Sequence, residues 1–436
     1  MNRYIRVSKS VTASILRRLP VLKHYYRFRK QIDVTCEAAA LLEQASARGT
    51  LNSSSLSRRL RWLGMDFGGL PNAFGGDVLL IASGQRPSQG QVRALEDQLE
   101  AASYTALPCQ QWLRLNELFC FRGRYPLAQI CREHARQLAV LPFMQPDVRP
   151  PISWTNSIAA ALEGGECADP RALDLILKKA NIKEHEAAKW HLLLSVLNAE
   201  QVPESDLAVF DKTGYPEFVK SKNIVIVGPS PTEAQDAAEI DSSDVVIRLN
   251  HSFSGKGTDS VHKGLRTDVT YFNGEQAIAF TKERNGIMPS EISWACCKGQ
   301  GRALEVQARN PDKYCRSLVS FDGMTFHGSY NMVPLVVMDL VAIARQSIKI
   351  FHTDLMLTIS RAKGYYPQSF QRHGKEQYAF LRGSISHDPV LQYRTLRRLW
   401  ETKKIHGDKA FEEVMMMGLD NYLRKLERVY VLNTGQ

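Results

Sequence analysis

Between Asn223 and Asn250 the chain reads NIVIVGPSPTEAQDAAEIDSSDVVIRLN, and its two apolar runs, IVIV and VVI, do not alternate with polar residues. A strand with one face in water alternates; a strand without alternation is covered on both faces, as in a parallel sheet flanked by helices. The texture continues downstream. DVTYFN reads as a third strand ending at Asn273, PLVVMDLVAIARQ as a helix, IKIFHTDL as a strand, PVLQYRTLRRLWETKK as a helix and RVYVLN as a closing strand. Residues 216–436 are therefore expected to form a doubly wound, Rossmann-like α/β domain with its ligand crevice at the carboxyl ends of the strands.

Upstream the period changes. From 33 to 215 the apolar positions recur mostly at helical spacing, as in CEAAALLEQASARGTL and AAKWHLLLSVLNAE, so this stretch is expected to be a mainly helical domain. Trp112, Leu115 and Phe119 fall on one helical face, a Gly123-x-Tyr125 turn follows, Ala128 and Ala135 mark a second helix, and Pro142 is expected to stop it. These positions fit one tetratricopeptide-type (TPR-like) hairpin, and fit an unrelated helical bundle as well. In either case the aromatic positions read as core. PDVRPPISW reads as a bend inside this half, and DKTGYPEFVKSKN as the border between domains. A chain of 436 residues has room for two.

The formal charge of +11 suggests an anionic partner, and its distribution narrows the choice. Residues 1–32 carry nine Lys and Arg, interleaved with apolar side chains, and no Asp or Glu. A basic arm of this kind suits an anionic membrane surface, and equally a solvated basic helix. No run is long enough to span a bilayer and no continuous signal-peptide core opens the chain, so the expected location is the cytoplasm, at most peripheral on the inner membrane face. The eight cysteines lack zinc-like spacing and read as reduced, buried thiols.

Several sites are absent: no Gly-x-Gly-x-x-Gly after a strand, no phosphate loop ending in Gly-Lys-Ser/Thr, no His-Glu-x-x-His, and no Asp-x-Asp that would hold a metal against a sugar nucleotide. The strand ends are polar instead. Gly228-Pro229-Ser230 closes the first strand, Asn250 the second and Asn273 the third, and on one side of a parallel sheet such ends converge. Backbone amides at Gly228 and Ser230 suit phosphate or ribose oxygens, and asparagine amides donate to phosphate or pair with a base. The same residue types also cap loops.

The order of these pieces, VIVGPSPTEAQDAAEIDSSDVVIRLNH followed by GLRTDVTYFNG, resembles the donor-nucleotide motif of sialyltransferases in glycosyltransferase families 42 and 29. GSYNMVPLVVMDLVAIARQSIKIFHTDL is similar to their second motif, SHDPVLQYRTLRRLWETKK to the segment opening with the catalytic histidine, and VYVLNTG to the closing strand. The resemblance covers about residues 220–436. It implies a sialyltransferase-type, GT-A-like variant of the α/β fold and an inverting, metal-independent transfer of sialic acid, or a related sugar acid, from its CMP conjugate to a glycan or glycolipid hydroxyl. No further cofactor is implied. By the same resemblance His387 is the general base, a role suited to an imidazole of ordinary pKa about 6.5. Gly228, Ser230, Asn250 and Asn273 hold the CMP portion, Ser329 or Asn331 reaches its phosphate or the sugar carboxylate, and Tyr365 and Tyr366 stabilise the leaving phosphate. The chain departs from the family pattern at Pro229, at Gly328-Ser329 where a longer polar turn is usual, and after Asp354, where Met356 and Leu357 replace a tyrosine.

Two other readings compete. A TPR-like scaffold with a degenerate transferase domain, recruiting a protein partner through its helices, follows from the helical half; nucleic-acid binding follows from charge alone, and no recognition motif accompanies it.

Overall fold

The computed structural model describes residues 20–203 except 71, 86, 146 and 168, then 211, 213–250, 260–283, 286–359 and 376–431. Compactness groups the chain differently from the linear order expected of it. One unit is Met1–Ala161 with Asp322–Ser329 and Phe380–Asp388; the other is Leu162–Phe321 with Tyr330–Ala379 and Pro389–Gln436.

Among the described residues, all regular structure before position 203 is helical. The helix Pro20–Ala47 runs through the position where the basic arm was expected to end. Local signals explain several starts: Ser53 accepts from the Leu56 amide, and Ser88 and Gln91 close a reciprocal capping box. The expected hairpin is formed by Cys109–Phe121 and Tyr125–Met144, which touch where the Cys109 thiol meets the Ala135 carbonyl at 3.2 Å and where the Trp112 and His134 rings lie 4.6 Å apart. Gly123 turns the chain between them at φ 70°, a left-handed value glycine adopts without a Cβ penalty. Trp112, Leu115, Phe119, Ala128 and Ala135 are all buried. Pro142 does not stop the second helix, which continues to Met144. Its missing N–H removes one bond in the last turn, too late to break the helix.

The second unit contains a seven-stranded, wholly parallel sheet in the order β5-β4-β3-β2-β1-β6-β7. The strands are β1 Ile224–Val227, β2 Val245–Leu249, β3 Val269–Phe272, β4 Trp294–Cys297, β5 Tyr314–Ser317, β6 Ile348–Phe351 and β7 Ile405–Gly407. Strands β1 to β4 are buried at every position, as their unalternating sequences require. The chain steps outward from β1 to β5, then returns to lay β6 on the other side of β1. That reversal is a topological switch point between β1 and β6.

Two expectations change. RVYVLN is not a closing strand: its described part ends the helix Leu419–Val431, whose buried Tyr422, Leu423, Leu426 and Tyr430 recur at helical spacing. The 3.6-residue period outweighs the local β preference of Val-Tyr-Val. The outer strand is β7, and together with β4 and β5 it was not foreseen, because WACC, YCRS and IHG are short and lack β-branched runs. No helix among the described residues is long and apolar enough to cross a membrane.

Candidate functional site

At the switch point, Gly228 lies against β6 so closely that a Cβ there would strike the Thr353 side chain and the His352 carbonyl. The Gly228 amide donates to Phe351 O at 2.8 Å and the Ser230 amide to His352 O at 3.0 Å. These bonds continue the β1–β6 ladder past its last paired residues, and Pro229 between them has no N–H. The amides expected to receive phosphate are thus engaged by β6, and the turn is no anion cradle. Its carbonyls face a cation instead: the buried Lys263 ammonium donates to Gly228 O at 3.1 Å and Ser230 O at 2.6 Å. The Ser230 hydroxyl donates to Asp354 Oδ1 at 2.8 Å, whereas Asp354 Oδ2 is enclosed without a hydrogen-bond partner among the described residues.

Asn250 ends β2 at φ 50°, a left-handed value that asparagine tolerates better than most side chains. Its amide donates to Tyr271 O at 2.7 Å, and its Oδ1 accepts the Asn273 amide at 3.0 Å. Asn273 Oδ1 in turn accepts the Gln276 amide at 2.7 Å, capping the helix Gly274–Glu283. The two asparagines are therefore brought together, with their carbonyl oxygens used for structure. Arg248, two residues earlier on β2, is occupied in binding the carbonyls of Lys263, Gly264 and Arg266. Burial lowers its pKa to about 10, against the opposing pull of Asp241, so it stays charged at neutral pH.

His387 and Ser329 are also brought together, within the first unit. The Ser329 hydroxyl donates to Ser386 O at 3.1 Å and lies 3.1 Å from His387 Nδ1, and the Ser329 carbonyl is 3.4 Å from the same nitrogen. A hydroxyl has one proton; given to Ser386, it faces the ring as an acceptor. In the tautomer protonated at Nδ1 both oxygens serve as acceptors and the lone pair lies on Nε2. The backbone supports this: the Ser329 amide donates to Ser386 O at 2.7 Å, and Gly328, at φ 69°, sits where a Cβ would press on the Asp388 backbone. Asp388 follows the histidine and pairs with Arg132, both fully buried, with the guanidinium 5.3 Å from the Phe326 ring centroid. Sequence reasoning missed this pair, whose members lie 256 residues apart.

Asn331 caps the helix Met332–Val341 through its backbone, without a side-chain capping bond, and its amide donates to Gln392 Oε1 at 2.8 Å. Tyr365 and Tyr366 lie outside the described residues. A hollow of about 400 Å³, lined in part by Asp211, Lys220, Arg345 and Lys404, opens where β1, β6 and β7 begin, at the opposite ends of the strands from Ser230 and Asn250. The chain matches no protein-family model, no curated protein and no solved structure.

Proposed function

We propose that the protein is an inverting, metal-independent glycosyltransferase of sialyltransferase type, moving sialic acid or a related sugar acid from its CMP conjugate to a glycan or glycolipid hydroxyl. The observation that carries this reading is the meeting of Ser329 with His387 Nδ1; in the tautomer protonated there, Nε2 is the basic nitrogen. In the proposed reaction Nε2 takes the acceptor hydroxyl's proton as that oxygen bonds to the anomeric carbon. The bond from that carbon to the CMP phosphate oxygen breaks, and CMP leaves with the electron pair. Asn250 and Asn273 offer amide donors to the nucleotide, and Ser230 and Asp354 offer hydrogen-bonding oxygens at the switch point, where open α/β sheets take ligands. Tyr365 and Tyr366 are the proposed donors to the leaving phosphate. In this reading the catalytic domain is a GT-A-like variant, the helices before it form a TPR-like platform for acceptor or partner, and the basic amino-terminal segment rests on an anionic membrane surface.

The test is calorimetric binding of CMP against UMP, AMP, GMP, UDP and NAD in EDTA, followed by transfer assays. Selective CMP binding weakened by Asn250→Ala and Asn273→Ala is expected, with turnover lost in His387→Ala. No CMP preference would sink the reading.

One observation favours a second reading: the Gly228 and Ser230 amides are bound to β6, as a degenerate, non-enzymatic scaffold allows. That reading predicts unchanged cellular function in His387→Ala.

A further inference from the structure

His352, the first residue past β6, has left-handed backbone at φ 54° and a side chain with no exposure to solvent. A non-glycine residue in this region costs of order 1–3 kcal/mol and persists only where its surroundings hold it. Its imidazole lies between two carboxylates. Nδ1 is 3.3 Å from Asp408 Oδ2 and Nε2 is 3.6 Å from Asp236 Oδ2, and among the described residues neither ring nitrogen makes a well-aligned hydrogen bond. A buried imidazole with both nitrogens unsatisfied is costly unless something else binds it.

The two carboxylates differ. Asp408 is committed to structure: Oδ1 accepts the Phe411 amide at 2.9 Å, capping the helix Lys409–Met416, and Oδ2 accepts the His352 amide at 2.6 Å. Burial opposes its ionisation, but these hydrogen bonds and the His352 ring outweigh burial and hold its pKa below the usual carboxylate value. Asp236 occupies the N-cap position of the helix Ala237–Ser242 without making a side-chain capping bond, and its Oδ2 is buried without a hydrogen-bond partner among the described residues. It turns away from the cap and towards the ring.

The geometry points to a binding site for a zinc-class divalent cation, ligated by His352 Nε2 and Asp236, with Asp408 holding the Nδ1 side of the ring. One atom from each of the three side chains lies within 4.8 Å of the others. The 3.6 Å between Nε2 and Asp236 Oδ2 is too long for a good hydrogen bond. It is close to the separation of two ligands that each sit about 2.1 Å from one tetrahedral zinc. A carboxylate behind the ligating histidine is the usual outer partner that sets the tautomer. Asp236 is the half-exposed member, so the ion enters from its side and water completes the coordination. The site joins the segment before Ala237, the end of β6 and the segment after β7. The cation site does not rest on the proposed transfer, although the His352 carbonyl also holds the Ser230 amide.

The experiment titrates the full-length reduced protein, freed of metal on a chelating resin, with Zn²⁺ by calorimetry and with Co²⁺ by absorption. Saturable binding of one ion per chain is expected, with a Co²⁺ spectrum lacking thiolate charge transfer and a melting temperature that rises with Zn²⁺. Asp236→Asn, a change at a half-exposed side chain, abolishes binding and the melting shift, as does His352→Gln. Asp408→Asn weakens binding roughly 10–100-fold, the usual effect of losing an outer partner. Absence of saturable binding in the wild type overturns the site, and so does an Asp236→Asn protein that binds as tightly as the wild type.

Discussion

Among the described residues two arginines are wholly enclosed, one in each compact unit, and they are enclosed differently. Arg132, among helices, is paired with Asp388 and faces the Phe326 ring. Arg316, on β5, is paired with Asp339 through two nitrogens at 2.7 and 3.0 Å and with Asp211 at 2.7 Å, and lies 4.6 Å from the Tyr215 ring centroid. Asp339 also accepts the Tyr271 hydroxyl at 2.7 Å and the Val319 amide at 2.8 Å. Burial draws the Arg316 guanidinium towards neutrality, and Asp339 beside it prevails, holding its pKa well above the ordinary value. The arginine in the sheet ties β5 to β3, to the helix Met332–Val341 and to the Asp211–Tyr215 segment; the arginine among the helices fixes the residue that follows the candidate base. Enclosure of a charge is common to both, and only the second is joined by one peptide bond to proposed chemistry.

Truncating Arg316 sharpens that contrast most. Arg316→Met leaves two buried carboxylates without their cation and is expected to cost about 5 kcal/mol in urea unfolding, whereas Arg132→Met, which bares one, is expected to cost about 3 kcal/mol. Equal costs would show that the network around Arg316 adds nothing to a single pair. Arg132→Met with Asp388→Leu removes both charges and should recover much of the loss, because the penalty lies in the unpaired charge.

Next in size are effects on the site beside Asp388. His387→Ala should lower turnover by roughly 10²–10⁴-fold with little change in stability, since the side chain is half-buried. Ser329→Ala should lower kcat about tenfold through the lost hold on Nδ1, while CMP affinity, read separately by calorimetry, stays unchanged. An unaltered kcat in Ser329→Ala would break the assignment of Ser329 as the positioning residue. Gly228→Ala, which forces a methyl group into Thr353 and the His352 carbonyl, should destabilise by about 1–3 kcal/mol.

The smallest effect tests whether the two interiors are equally closed. Burial raises the Cys109 thiol among the helices and Cys296 in the sheet alike to about 12. A thiol whose folded pKa lies above its unfolded value of about 9 stabilises the fold fully below pH 9 and loses that contribution as pH rises towards 12. The urea midpoint should therefore be flat from pH 7 to 8.5 and fall beyond 9, and native-state alkylation at pH 8 should leave both thiols unlabelled. Preferential labelling of one would show that its interior opens first.

Much of the sheet was legible in advance and much of the candidate site was not. IVIV and VVIRL announced buried parallel strands because burial on both faces suppresses alternation. WACC, YCRS and IHG announced nothing, because they contain no run of β-branched residues. The polar strand ends were found, but their use was not: whether Ser230's amide meets a ligand or His352 depends on which strand lies beside β1. Asn250 was singled out for its position, and its left-handed φ explains the asparagine before any ligand does.

The sequence by itself determined the helical half, the buried strands β1, β2, β3 and β6, and the exclusion of several nucleotide and metal motifs, since these follow from spacings of a few residues. Only the tertiary structure decided the strand order, the pairing of Arg132 with Asp388, the orientation of His387 by Ser329 and the meeting of Asp236, His352 and Asp408. Each of these depends on residues far apart in the chain, and no local period or propensity specifies which distant carboxylate or carbonyl a buried polar group will meet.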